Sequence, residues 1–192
     1  MQVSHQQKAA AYSLTVEEVN AVANTATNLR DRTIIKSLFW LGLRRCELVA
    51  LDVRDLDLER KIVTVQKGKG SKTRSIPIIN EGLLSDIRLL QRDETARCLF
   101  VSKKGGNLTE GQINSIVAKL GEKAGIKNPH PERKHLNPHL FRHSIARYLK
   151  SAEFPLEWIQ NFLGHSSIKT TMDEYGTLSL NEMIRIAEKK LG

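Results

Sequence analysis

Apolar residues in this chain recur mostly at helical spacing. Val16, Val19 and Val22 or Ala23 form one stripe behind Thr15, and Glu18 follows three residues on, the pattern of a capping box. Ile34, Ile35, Leu38 and Phe39 repeat at helical spacing within a helix expected from about Arg30 to Leu41. Gly42 interrupts it, and a short helix is expected from about Arg45 to Leu51. The period then changes. Val53 to Leu58 carries acids in alternation, Ile62 to Val65 is β-branched, and Thr73 to Ile79 alternates with Pro77 near its end, which suits an edge strand. Gly68 to Ser71 reads as a turn. Helical spacing returns from about Glu81 to Arg92 and from Thr109 to Lys123, with a short extended piece at Leu99 to Val101 and a turn at Gly105 to Asn107. Lys127 to Pro138, rich in Pro, Asn, His and charge, reads as a loop.

Further helices close the chain. One starts at Pro138, with Asn137 as its cap, and runs to about Ala152. A second opens at Pro155 and stops at Gly164. A short one behind Ser166 or Ser167 reaches about Met172. The last, about Leu180 to Leu191, carries Met183, Ile184, Ala187 and Leu191 on one face. The expectation is a mainly α fold with a small three-stranded antiparallel β-sheet.

Charge narrows the partner. The 192 residues carry 30 basic and 21 acidic side chains, a net charge of +9, which favours a polyanion, and nucleic acid first. Forty per cent apolar residues suffice for a real core, while a mean hydropathy of -0.34 and the lack of a long apolar run argue against a membrane protein. The polar N-terminus has no signal-peptide pattern, and Cys46 and Cys98 form neither a metal spacing nor a disulfide framework. A cytoplasmic, nucleoid-associated protein is expected.

The candidate chemistry lies late in the chain. His139-Leu140-Phe141-Arg142-His143 places a base-like His and a phosphate-reading Arg three apart on one helical face. Leu163-Gly164-His165 and Tyr175 follow. A His, an Arg, a second His and a Tyr in a basic chain point to phosphodiester chemistry. His135, His139 and His143 are spaced by four, as on a metal-binding helix. Pro138, however, places His135 ahead of the helix, and no Glu follows in a metalloprotease pattern, so no metal is expected.

These residues, with Thr170-Thr171-Met172-Asp173-x-Tyr175, Gly42-Leu43-Arg44-x-x-Glu47-Leu48 and Gly68-Lys69-Gly70-x-Lys72-x-Arg74, resemble the C-terminal catalytic domain of the tyrosine recombinases, the phage integrase family. The resemblance covers roughly Leu14 to Tyr175 and implies that family's catalytic-domain fold over residues 14–192. Residues 1–13 then form a tail or linker remnant, and the N-terminal DNA-clamping domain usual in the family is expected to be absent. Tyr175 lies ten residues after His165, a spacing common in integrase-type members and one longer than in Xer-type ones.

The resemblance implies roles. Arg44 and Arg142 bind the non-bridging phosphate oxygens, which suits their planar forks. Lys69, with Lys67 and Lys72 as rivals, gives a proton to the leaving 5′ oxygen. His139 accepts the nucleophile's proton, His165 donates a hydrogen bond to the phosphate, and Tyr175 attacks to form a 3′-phosphotyrosyl link. Lys67, Lys72, Arg74, Arg45 and His143 are expected to contact DNA or buttress the site. The implied partner is double-stranded DNA, bound by four protomers on two sites, with no cofactor and no small-molecule substrate. Two other readings stay open. One is a type IB topoisomerase-like cleaver, the other a DNA-binding protein of the same fold without catalysis.

Overall fold

A computed structural model of the chain describes residues 12–66, 73–91 and 97–164. Residues 1–11 of the tail, the turn at 68–71 and both helices expected after Gly164 lie outside the described residues.

Helix α1 (Val16–Asn24) begins at the capping box: the Thr15 hydroxyl accepts from the Glu18 N–H, and the Glu18 carboxylate accepts from the Thr15 N–H. Helix α2 (Leu29–Trp40) starts where the Asn28 side chain accepts from the Asp31 N–H. It is the axle of the fold, with Thr33, Ile34, Ile35, Ser37, Leu38, Phe39 and Trp40 all buried. A helix apolar on so many sides needs neighbours all round. It has them in α1, in α4 (Glu81–Leu90) and in α6 (Pro138–Ser151). Short α3 (Arg45–Ala50) and long α5 (Glu110–Lys123, capped by Thr109) pack together, and α7 (Leu156–Leu163) packs on α6.

Three strands, β1 (Leu56–Asp57), β2 (Ile62–Val65) and β3 (Arg74–Pro77), form an antiparallel sheet in the order β1-β2-β3. β3 is an edge, as Pro77 requires. Only the end of the expected first strand is extended. Residues 53–55 form a 3₁₀ turn, because the acids bond their own backbone: Asp52 accepts from the Arg54 N–H and Asp55 from the Asp52 N–H. Short acidic side chains outcompeted the ladder there.

The β2–β3 register pairs Val63 with Ile76 and Val65 with Arg74. Residues two apart on a strand share a face. Arg74 therefore points the same way as buried Ile76, toward the helices.

Gly42 joins α2 to α3 with φ +57°, and a Cβ there would lie 2.8 Å from Leu163 Cδ2 and 3.3 Å from Ile145 Cγ2. Both the backbone conformation and the space exclude a side chain. Gly42→Ala is expected to cost about 2 kcal/mol or more. A thermal melt should show a midpoint lower by about 4 °C or more, and an unchanged midpoint would refute the packing account.

Candidate active site

The site is assembled around a carboxylate. Glu47 sits in the first turn of α3, with its side chain 6% exposed. Its oxygens accept from the Arg44 backbone N–H (2.8 Å) and from the Arg44 guanidinium (3.0 Å). Arg74 clasps the same carboxylate from β3 in a two-point fork, at 2.7 and 2.9 Å. The Arg142 guanidinium stands 4.0 Å away. One acid thus serves three arginines from three segments.

Burial pushes the Glu47 carboxyl up, but the hydrogen bonds and charge of Arg74, the Arg44 N–H and the charge of Arg142 outweigh it and hold the group at about 2, below the ordinary 4.5. A folded-state pKa below the unfolded one stabilises fully above the ordinary value and is lost as pH falls through the folded one. Glu47 therefore contributes roughly 3 kcal/mol at neutral pH, lost between about pH 4.5 and 2. Urea melts at pH 5 and pH 3 should show the wild type losing an increment that Glu47→Gln lacks. Parallel losses in both proteins would sink this assignment.

Arg142 is positioned by α6. The Asn137 side chain caps the helix by accepting from the Leu140 N–H, and Pro138 occupies the first position. The Arg142 side chain is 3% exposed and donates to the carbonyls of Gly42 (2.5 Å) and Leu163 (2.6 Å). Arg74 reaches the same helix end, donating through Nε to the Phe162 carbonyl (3.1 Å). The last carbonyls of α7 are orphaned by helix geometry. Two arginines take two of them, just ahead of Gly164, whose left-handed conformation ends the helix.

A cleft of 780 Å³ opens over this assembly. Arg44, Arg142 and His139 line it together, joined by Arg45, Glu110, Asn114 and the stretch from Arg133 to Pro138. Arg44 is half-exposed and His139 is exposed, so the cleft shows a guanidinium and an imidazole to solvent. Such a pair can hold an anionic ester and take up a proton beside it. His135 precedes α6, as Pro138 dictates, and the described residues contain no cluster of His, Cys, Asp and Glu able to hold a metal.

The remaining sequence candidates divide. Arg45 is exposed and pairs with Glu110 at 2.5 Å. His143 is half-buried on α6 and does not line the cleft. Arg74, expected at the DNA surface, instead has a side chain only 9% exposed and bound to Glu47. Strand alternation carried the signal: Arg74, Ile76 and Ile78 share one face, and that face is the core. Lys67, Lys69, Lys72, His165 and Tyr175 lie outside the described residues. Arg133, Lys134 and His135 also line the cleft, and their signal in the sequence is a basic run in a proline-bounded loop.

The sequence model of the phage integrase family matches residues 12–181. This chain belongs to the phage integrase family. Relatives include the tyrosine recombinase XerA of Pyrococcus horikoshii, 34% identical over 163 residues, which span 83% of this chain and 54% of XerA. The tyrosine recombinase XerC of Escherichia coli O157:H7 is 34% identical over 168 residues, with the same two shares. The chain thus spans about half the length of these relatives. A crystal structure of XerA recombinase superposes with a TM-score of 0.77 at 27% identity, covering 94% of this chain and 65% of that one. XerH bound to its difH substrate before cleavage gives 0.70 at 28%, covering 91% and 52%. The Tn1549 transposon integrase, 21% identical, shares the fold at 0.73, with 94% and 66% covered. The mainly α family fold with its three-stranded antiparallel sheet is therefore present. The similar proteins thus include Xer-type recombinases and a transposon integrase. Among the described residues no helix is long and apolar enough to cross a membrane.

Proposed function

We propose that this chain carries the catalytic domain of a site-specific DNA recombinase of the integrase type, which cuts and rejoins strands through a 3′-phosphotyrosine. The observation that carries the reading is the convergence of Arg44, Arg142 and His139 on one cleft, with Arg44 held by Glu47 and Arg142 by two backbone carbonyls.

In this reading the Tyr175 oxygen attacks the scissile phosphorus and the bond to the 5′ oxygen breaks. His139 takes the phenol proton, and Lys69 protonates the leaving 5′ oxygen. Arg44, Arg142 and His165 stabilise charge on the non-bridging oxygens. A 5′ hydroxyl of the partner strand then attacks the phosphotyrosine and reverses each transfer. One phosphodiester is exchanged for another, so ligation needs no external energy source and no cofactor. Four protomers on two duplex sites would exchange strands in pairs, in a nucleoid setting.

The test is covalent capture. The protein is mixed with nicked duplexes of randomised sequence in EDTA, and adducts surviving SDS are resolved by end label. The expected adduct carries the 3′ phosphate side of the break. Firm DNA binding with no adduct would favour the binding-only alternative. A 5′ linkage would overturn the reading.

A further inference from the structure

A second cleft, of 470 Å³, lies beside the catalytic one. Both are lined by Ala118, Arg133, Lys134, His135 and Leu136. The loop between α5 and α6 is thus a wall common to the two. In the second cleft the charged lining is Lys127, Arg133 and Lys134 against the acid Glu122. The loop itself carries a further exposed acid, Glu132.

A cationic loop is ordinarily just a solvated surface. Unpaired cations occur elsewhere among the described residues too, at Lys103 and Lys104, but here three gather beside the candidate active site on a fastened loop. Many cations elsewhere in the described residues are matched with acids: Arg32 and Lys36 with Asp86, Arg45 with Glu110, Lys61 with Glu81. Lys127, Arg133 and Lys134 are exposed, and none has an acid partner among the described residues. The loop is also built to hold a shape. Buried Asn128 accepts from the His130 N–H (2.9 Å) and donates to the His135 carbonyl (2.8 Å), closing the segment like a clasp. Leu136 fills the place a side chain would take at Gly121, where a Cβ would come within 2.6 Å of it. Tyr12 covers the His130 ring at a centroid distance of 4.8 Å.

We propose that the 127–136 loop is a preformed clamp for the DNA sugar-phosphate backbone, holding the strand beside the scissile phosphate through Arg133 and Lys134, with Lys127 further out. The ligand is a run of phosphodiesters, read by charge and not by base. The inference rests on the recombinase reading and adds a contact site to it. Ordering the loop in advance removes an entropic cost that free lysines and arginines would carry on binding.

The experiment uses the whole chain and a labelled duplex of random sequence, with affinity measured from low to physiological salt. Each phosphate contact contributes about 0.9 to the slope of log affinity against log salt. Arg133→Ala with Lys134→Ala should lower that slope by about two. Lys103→Ala with Lys104→Ala, equally exposed but lining neither cleft, should leave it unchanged. Asn128→Ala, which removes no charge, should weaken binding severalfold while a thermal melt shows the protein still folded. The proposal is overturned if the loop pair keeps the wild-type slope or if the control pair loses as much. A wild type that binds DNA with the expected loop dependence yet forms no adduct would leave the clamp standing and remove the catalytic reading.

Discussion

Tyr175→Phe is expected to abolish the SDS-stable DNA adduct while leaving affinity for duplex within about twofold. The change removes one oxygen and keeps the ring, so any loss is a loss of nucleophile. The chain has three tyrosines. Two are committed elsewhere. Tyr148 packs edge-on to Trp40 at 5.7 Å and near Phe39 at 6.2 Å, and Tyr12 lies against His130. Neither lines the cleft that holds Arg44, His139 and Arg142. Tyr148→Phe and Tyr12→Phe should therefore retain the adduct. An adduct that persists in Tyr175→Phe would sink the assignment, and its loss in Tyr148→Phe would move the nucleophile to α6.

Arg142→Lys should be nearly as damaging, for two separable reasons. The guanidinium spans the carbonyls of Gly42 and Leu163, which belong to segments far apart in the chain. A single ammonium has no planar fork and leaves one of those buried acceptors unmatched, at about 1–3 kcal/mol. It also withdraws a planar donor from the cleft, a loss of about 10²–10³ in rate by comparison with other transition-state donors. Denaturant melts read the first effect. Single-turnover adduct formation, measured where both proteins are folded, reads the second. A variant that is less stable but cleaves at the wild-type rate would confine Arg142 to a structural role.

Most of the helical fold was legible in the sequence because its boundaries are written in local chemistry. Thr15 with Glu18, Asn137 with Pro138, and Gly164 each mark an end that needs no long-range partner to be recognised. The stretch from Val53 to Leu58 misled because alternation of acids imitates a strand, while Asp52 and Asp55 bond the nearby backbone instead. Within the site, Arg44 and Arg142 were found by motif, and their meeting at one cleft follows from the packing of α2, α3 and α6. Glu47 stands in the same motif as Arg44. That it serves three arginines is a tertiary fact, since Arg74 arrives from a strand 27 residues on. Its own motif placed Arg74 among the DNA-contacting residues. Its register opposite Val65, one face with Ile76, says otherwise.

The loop before α6 is fastened by an amide side chain, a leucine in a glycine's place and an aromatic contact, none of which involves a charge. Ionic strength acts on the outer face of the loop and hardly at all on its fastenings. Concentrated salt should therefore strip a polyanion from the protein without altering the surface it leaves behind. Hydrogen exchange at the His130 amide would be as slow in 1 M salt as in dilute buffer, and a return to low salt would restore binding at once, with no refolding of the loop to wait for.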